Sequence, residues 1–290
     1  MILVRRLGAR VVAAAIILLL LYVTWRGAIW RSIASATQRP YPSVAFVVEC
    51  ASSHVANDDP IKHPGQPGAS HEHDFFGNRT TSASSTTAAM RVGPTSCNDG
   101  GDRTAYWLPT IRGAVWGNLR AYYSSGSLDP TTIETYPDGL QLIAGDALAT
   151  RPTGVGVVAW SCGRGVDEQG WSTTPPVRCS DGRMLAVRIS FPQCWDGRGL
   201  RPESVVAATA RCPMSHPHPL PLLRLRVATV GAVDTVLLSS GGPSTMHADF
   251  WNAWDSARLG LLVRTCIRGE RASNTELKRC RAPGAGPVRE

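Results

Sequence analysis

The chain has 290 residues, of which 43% are hydrophobic and 18% are charged, and these proportions exclude a disordered chain. The net charge of +8 would suit a nucleic-acid-binding protein, but the basic excess lies at the two ends. Residues 1–40 contribute +6 and residues 264–290 contribute +4, which leaves −2 for residues 41–263. Because the body of the chain is nearly neutral, we predict no nucleic-acid partner.

An apolar run near the N-terminus predicts export from the cytoplasm. Three arginines precede this run at residues 11–23, and a basic flank before an apolar core is typical of a secretory signal. The basic flank should stay inside while the rest of the chain crosses the membrane. We predict a signal anchor or signal peptide at residues 1–25, with the uncleaved anchor favoured, and a linker at residues 26–42. The domain beyond would be tethered outside the cell membrane, or secreted if the signal is cleaved.

Short apolar runs separated by turn residues predict a mainly β domain at residues 43–280. The 28 glycines and 21 prolines argue against long helices, and the clearest helical periodicity comes late, at residues 249–268. The pattern favours a single β-sandwich or barrel-like domain with a C-terminal helix, followed by a disordered tail at residues 281–290. The predicted strands are residues 44–48, 105–108, 119–123, 140–143, 155–160, 184–189 and 222–230.

Eight cysteines follow the apolar run, and an even number on an exported domain predicts disulfide bonds. None of them forms a C-x-x-C pair, which argues against a zinc ribbon. Spacing alone leaves many pairings open. Joining nearest neighbours along the chain would give Cys162–Cys179, Cys194–Cys212 and Cys266–Cys280, and would leave Cys50–Cys97.

Histidines near both ends of the domain are the residues best suited to chemistry. If the segment around them is extended, His71 and His73 lie on one face, because side chains alternate along a strand. His247 and Asp249 have the same spacing. Two imidazoles and a carboxylate could ligate a metal or act as acid and base. A rigid hydrogen-bonded network is the alternative, and the spacing does not decide between them.

Tryptophan beside aspartate is a second pattern, because sugar sites combine an aromatic face with carboxylates that bind hydroxyl groups. It occurs at Trp195-Asp196 and at Trp254-Asp255. The same pairs are equally typical of core aromatics followed by a turn-forming aspartate. Core packing is the interpretation that these pairs favour on their own.

Several long motifs occur in a fixed order along residues 45–266. They are Ser53-His54, Asp59-Pro60-Ile61, Ser70-His71-Glu72-His73-Asp74-Phe75-Phe76-Gly77-Asn78, Ala105-Tyr106-Trp107-Leu108-Pro109, Phe191-Pro192-Gln193-Cys194-Trp195-Asp196-Gly197, Cys212-Pro213 with His216-Pro217, and His247-Ala248-Asp249-Phe250. In this order they resemble the DUF1996 family. The resemblance implies a secreted protein in a glycan setting, because members are sometimes joined to carbohydrate-binding modules. It implies no reaction, since the family's activity is not established.

The chain departs from the family pattern after its Cys-Trp-Asp-Gly motif. There the family usually carries an Asp-His and a Ser-His pair, whereas residues 201–210 of this chain contain no histidine. If those family histidines act in a site, this member is weakened or repurposed.

Three hypotheses follow. The first is a membrane-tethered, extracytoplasmic protein acting on cell-envelope or environmental polysaccharide, as a glycoside hydrolase if it is an enzyme; such enzymes usually need two carboxylates about 5–10 Å apart. The second is a non-catalytic glycan-binding or envelope-scaffold domain, and the third is a metal-dependent enzyme. No particular cofactor is indicated. The candidate catalytic residues are His71, His73, His247 and Asp249, and the candidate substrate-binding residues are His54, Asn78, Trp195, Asp196, His216, Trp254 and Asp255.

Overall fold

A computed structural model describes residues 45–163, 170–180, 182–270 and 280. These residues belong to one compact unit, Pro42–Glu290. Their fold is mainly β with four disulfides and a C-terminal helix, as the sequence predicts, and the strands form three sheets. The predicted membrane segment, linker and tail lie outside the described residues. Within the described ranges, no helix has both the length and the apolar character needed to cross a membrane.

The largest sheet contains six strands, and four of its members alternate buried and partly exposed residues along much of their length. Alternation of this kind places one face against a core and leaves the other near solvent. The seven strands predicted from the sequence are all present in this sheet or the next, within a few residues. In sheet order the strands are β1 (Ala45–Cys50), β6 (Leu119–Ser124), β13 (Leu222–Val230), β9 (Met184–Ser190) and β8 (Val158–Gly163), and β5 (Val115–Trp116) pairs with β13.

The second sheet has five strands, and its three central strands are buried along their whole length. One face packs on the core that the largest sheet also lines. The other face packs on a smaller apolar cluster, which includes Met90 of helix α1 (Thr87–Val92). In sheet order the strands are β2 (Ser52–Ala56), β3 (His73–Gly77), β4 (Ala105–Pro109), β14 (His247–Trp251) and β7 (Gln141–Gly145).

A third, small sheet and the disulfides complete the domain. The sheet consists of β11 (Val205–Val206), β10 (Cys194–Trp195) and β12 (His218–Pro219). Short 3-10 turns occupy Pro130–Thr132, Pro202–Ser204 and Pro243–Thr245. The nearest-neighbour disulfide prediction is confirmed for all four bridges: Cys50–Cys97, Cys162–Cys179, Cys194–Cys212 and Cys266–Cys280.

The C-terminal helix begins later than predicted. Residues 249–251 belong to strand β14, and helix α2 spans Ser256–Leu262 before a π-helical turn at Val263–Ile267. The helix begins where Asp255 accepts a hydrogen bond from the Arg258 amide and so caps the free N–H groups. Phe250 and Trp254, which suggested an earlier start by their spacing of four, are both core residues outside the helix.

A buried hydrogen-bonded chain links the two larger sheets. The Tyr106 hydroxyl donates to Asp102 at 2.7 Å and also contacts the Tyr123 hydroxyl. The Trp254 indole donates to the Tyr123 oxygen at 3.1 Å. Burial raises the pKa of Asp102 to about 7, although the bonds from Tyr106 and Thr104 oppose this shift. The polar groups of this hydrogen-bonded chain therefore have partners, as buried polar groups generally must.

Tyr123→Phe should lower the free energy of unfolding by about 1–3 kcal/mol, because it leaves the Trp254 N–H buried without an acceptor. Tyr122→Phe is the matched control, since the adjacent ring lies on the opposite, partly exposed face, where its hydroxyl accepts a long contact from Arg226. The control should lose less than about 0.5 kcal/mol. Urea unfolding of the oxidised protein measures both changes. Equal losses of unfolding free energy in the two variants would contradict a structural role for the buried hydrogen-bonded chain.

Candidate functional site

Strand pairing brings the two histidine segments to one end of the second sheet. Strands β3 and β14 are each antiparallel to β4, so they run parallel to one another. His73 is the first residue of β3 and His247 is the first residue of β14. Because side chains alternate along a strand, Asp249 faces the same side as His247. Residues separated by 174 positions therefore meet on one face.

The loop before β3 brings in two further residues. The Asp58 carboxylate accepts hydrogen bonds from the amides of Gly68 and Ala83. These bonds join the start of the loop to residues 10 and 25 positions later in the chain. One oxygen of Asp59 accepts from the amides of residues 61 and 62 in a tight turn. These contacts place Asp59 and His71 beside His73.

The resulting group of five residues, which we name the histidine–aspartate centre, contains Asp59, His71, His73, His247 and Asp249. One ligand atom each from His71, His73 and His247 lie within 4.8 Å of one another, and the same holds for Asp59, His73 and Asp249. His73 and Asp249 are completely inaccessible to solvent, whereas His71 is half-buried. The centre is thus closed except on the side of His71.

The tautomers of two histidines follow from their backbone partners. His73 Nδ1 lies 3.0 Å from the Asp58 carbonyl oxygen, and His247 Nδ1 lies 2.8 Å from that of Thr245. A carbonyl oxygen can only accept, so each Nδ1 carries a hydrogen and donates it. In the neutral ring each Nε2 then carries a lone pair. The two Nε2 atoms face one another at 3.4 Å.

Several polar atoms at the centre lack a hydrogen-bond partner. Both carboxyl oxygens of Asp249 and Nε2 of His71 are buried without one, and so is the indole nitrogen of Trp107, the cross-strand neighbour of Asp249. Nε2 of His247 is 3.9 Å from the Asp249 carboxyl group, which is beyond hydrogen-bonding distance. Among the described residues, these are half of the eight unpartnered buried side-chain atoms. Their concentration at one place makes the centre the candidate functional site.

Burial makes the uncharged forms of these groups the stable ones. It lowers the pKa of His73 well below its usual range, and the adjacent His247 and His71 add to the effect. Burial also lowers the pKa of His247 to about 4. It raises the pKa of Asp249 well above its usual range, with Asp59 contributing. Near neutral pH, the two buried imidazoles are therefore unprotonated, and burial favours the protonated form of the Asp249 carboxyl group.

Two predicted substrate-binding residues hold the surrounding loops together. His54 stacks on Phe75 with ring centroids 4.6 Å apart, and its Nε2 lies 2.9 Å from the Thr81 carbonyl oxygen. Asn78 is fully buried and donates to the Met90 carbonyl oxygen at 2.9 Å. The structure gives both side chains internal partners and places neither in the centre.

Two further candidates also have internal roles. Trp254 is completely buried and bonded to Tyr123, so its ring presents no face to a sugar. Asp255 caps helix α2. This is the arrangement of a core aromatic followed by a structural aspartate, which the Trp-Asp pattern favours on its own.

The remaining candidates lie together at an open surface cleft of about 640 Å³. Asp196 and His216 line it, and Trp195 packs beside it against His218, with ring centroids 5.6 Å apart. His218 pairs with Glu134 at 2.9 Å. The sequence did not predict three of these residues as site residues: His218 of the cleft, its partner Glu134, and Asp59 of the centre. Asp59 does lie in a family motif, and this signal could have identified it.

The comparison with known families matches a domain of unknown function, DUF1996, over residues 59–254. The chain belongs to the DUF1996 family. The matched region begins at Asp59 and contains every residue of the histidine–aspartate centre. No curated protein and no solved structure matches the chain. Membership therefore confirms the resemblance but carries no activity with it.

If Asp249 serves function rather than folding, its removal should stabilise the protein. Asp249→Leu should raise the free energy of unfolding by about 1–3 kcal/mol, because it removes a buried carboxyl group that has no partner. Asp102→Leu is the matched control, since Asp102 is equally buried but accepts bonds from Tyr106 and Thr104.

The control variant should lose stability, because both donors would be left unpaired. Urea unfolding in buffer containing a chelator compares the two variants without a contribution from bound ions. A loss in both would mean that Asp249 is a structural residue.

Proposed function

We propose that this DUF1996 member is an extracytoplasmic hydrolase of cell-envelope or environmental polysaccharide, and that the histidine–aspartate centre cleaves the bond. Four disulfides are typical of an oxidising compartment outside the cytoplasm. The proposal includes a tether to the cell membrane through residues 1–25, or secretion if that segment is cleaved.

The unpartnered carboxyl group of Asp249 is the observation that supports a reaction at this centre. In a hydrogen-bond network with a purely structural role, each buried polar group has a partner, as Asp102 has. At Asp249 both oxygens are unpaired, and the lone pairs of His73 and His247 meet nearby. Groups left unpaired in this way lower stability and are typical of sites selected for chemistry. Neutral imidazoles are bases at neutral pH and can activate a water molecule.

A substrate would approach the centre from the side of His71. That side chain is half-buried, whereas His73, His247 and Asp249 are enclosed. Lys62 is exposed, and its charge acts on both His247 and Asp249, so the entrance also carries a positive group. Polysaccharide would therefore present one bond at the entrance instead of threading through the domain.

The two carboxyl groups of the centre do not border a space that a sugar could enter, because Asp59 and Asp249 are both buried. One oxygen of Asp59 and one of Asp249 lie within 4.8 Å of each other. Retaining enzymes separate the two carboxyl groups by about 5–5.5 Å and inverting enzymes by about 6.5–9.5 Å. The burial of both carboxyl groups therefore favours attack by an imidazole-activated water, which suits acyl groups on a polysaccharide as well as glycosidic bonds. An assay must follow both products.

The full-length oxidised chain should release reducing ends or acetate from at least one member of a panel of envelope, plant and fungal polysaccharides. Asp249→Asn should lower the rate by about 100-fold or more, the usual contribution of a positioned acid or base. Asp234→Asn is the control, because Asp234 forms only a surface ion pair with Arg178. Product formed at the same rate by Asp249→Asn would remove the centre from the mechanism.

The open cleft favours a second candidate, a non-catalytic glycan-binding domain. It is lined by Asp196, Arg198 and His216, and hydroxyl groups could bond to all three. The segment of residues 201–210, which lacks the family histidines, follows directly in the chain. This candidate requires binding without any released product.

Under this second candidate, His216→Ala should weaken retention on polysaccharide about tenfold, which corresponds to about 1.4 kcal/mol. The His216 side chain bonds only to its neighbour Ser215 in the described structure, so the variant should fold normally. Affinity electrophoresis measures retention, with Asp234→Asn as the control. Unchanged retention would exclude the cleft as the glycan site.

A further inference from the structure

We propose that the histidine–aspartate centre binds one divalent transition-metal ion of the zinc type, with His71, His73 and His247 as nitrogen ligands and Asp249 as the compensating carboxylate. This inference deepens the proposed function. Only the role of the ion in hydrolysis rests on that function. The binding of the ion stands on geometry alone.

The outer hydrogen bonds of the buried histidines are those of metal ligands. Metal-binding histidines almost always donate the second ring N–H to a carboxylate, a backbone carbonyl or water, which fixes the ring and directs the other nitrogen at the ion. His73 does this through the Asp58 carbonyl and His247 through the Thr245 carbonyl. Both Nε2 lone pairs are thereby directed at the same place.

The separation of these nitrogens fits a tetrahedral ion. With metal–nitrogen bonds of about 2.0–2.1 Å, two ligands at corners of a tetrahedron lie about 3.3–3.4 Å apart. His73 Nε2 and His247 Nε2 are 3.4 Å apart. Two lone pairs at this distance repel unless a cation lies between them. The same place is within reach of His71, whose Nε2 is buried without a partner.

Asp249 supplies the negative charge that a buried cation needs. Its two oxygens are inaccessible and unpartnered, and one of them is 3.9 Å from His247 Nε2. Direct coordination would require an approach of about half an ångström toward the tetrahedral spacing. At the present distance the carboxylate would instead bond to a water on the ion. Asp59 is less suited to be a ligand, because one of its oxygens already accepts two backbone amides.

An ion held by three histidines keeps a fourth position for water, which is the arrangement of catalytic rather than structural zinc sites. Such an ion lowers the pKa of bound water and polarises a substrate oxygen, so it would activate the water in place of the imidazole lone pairs that bind it. The half-buried face at His71 would expose that position to substrate. This chemistry does not need the two separated carboxylates of a glycosidase.

The experiment uses the full-length oxidised chain, purified without a histidine tag and stripped with a chelator. After equilibration with Zn²⁺ or Co²⁺ and removal of free ion, elemental analysis should find one ion per chain. Bound Co²⁺ should give the visible absorption of a tetrahedral site, and Zn²⁺ should raise the melting temperature. Near-ultraviolet circular dichroism confirms that each sample is folded.

Two variants test the ligands separately. His71→Asn changes a half-buried residue, and Asp249→Leu should be at least as stable as the parent chain without metal, so neither should unfold. His71→Asn should weaken binding by about 100-fold, because loss of a direct ligand costs at least as much as loss of an outer-shell partner, about 10–100-fold. Asp249→Leu should abolish the increase in melting temperature. His216→Asn, a histidine at the open cleft, is the control and should bind the ion normally.

The outcomes separate this inference from the proposed function. A folded chain that takes up no Zn²⁺ or Co²⁺, or variants that bind as well as the parent, would overturn the metal site. Hydrolysis that persists in the stripped, ion-free chain would overturn the role of the ion in the reaction, while leaving the proposed function in place. One ion bound by the parent chain, and bound more weakly by both variants, would sustain the metal site even if no polysaccharide is ever cleaved.

Discussion

The antiparallel pairing of β4 with both β3 and β14 is the constraint on which the site depends. It makes β3 and β14 parallel, so their first residues lie at one end of the sheet. Strands two positions apart are separated by about 9–10 Å, a gap that two imidazoles can span from opposite sides. The residue between them is Pro109, which pairs with His73 and has a compact ring. Beyond His247 lies Gly145, where a Cβ would fall 2.7 Å from the His247 Cα atom.

Two buried aspartates show how the domain separates folding from chemistry. Asp102 and Asp249 are both inaccessible to solvent, and burial raises the pKa of each. Asp102 accepts two hydrogen bonds and joins the two larger sheets through the tyrosine chain. Asp249 accepts none, although it is equally buried. The difference is one of partners rather than of environment, and on this difference we base a structural role for the first residue and the proposed functional role for the second.

The sequence predicts those parts of the fold where one face meets solvent. Strands β6 and β13 alternate clearly, and their pattern identifies them. Strand β14 is buried on both faces and shows no alternation, and the spacing of Phe250 and Trp254 imitates a helix there. The nearest-neighbour disulfides are predictable because each of three bridges closes a short segment, of 14 to 18 residues.

The site is only half predictable for a related reason. Alternation within one strand predicts that His247 and Asp249 share a face, and the His71–His73 pair follows from the same spacing. The two segments meet because β4 lies between their strands in the sheet and pairs with both. The sequence of β4 contains no histidine or aspartate, so it gives no sign of the site. The burial of the Trp254 side chain and the capping role of Asp255 also depend on packing that the local sequence does not show.

The chemistry of the compartment restricts which ligands the centre can use. All eight cysteines are paired in disulfides, so no thiolate remains for a metal. In an oxidising compartment, imidazole and carboxylate are the strong ligands that persist. The same disulfides fix the frame around the centre, because Cys50–Cys97 joins the end of β1 to the segment that follows helix α1. A domain stabilised covalently in this way can retain unpartnered polar groups at one place, since the stability they remove is supplied elsewhere.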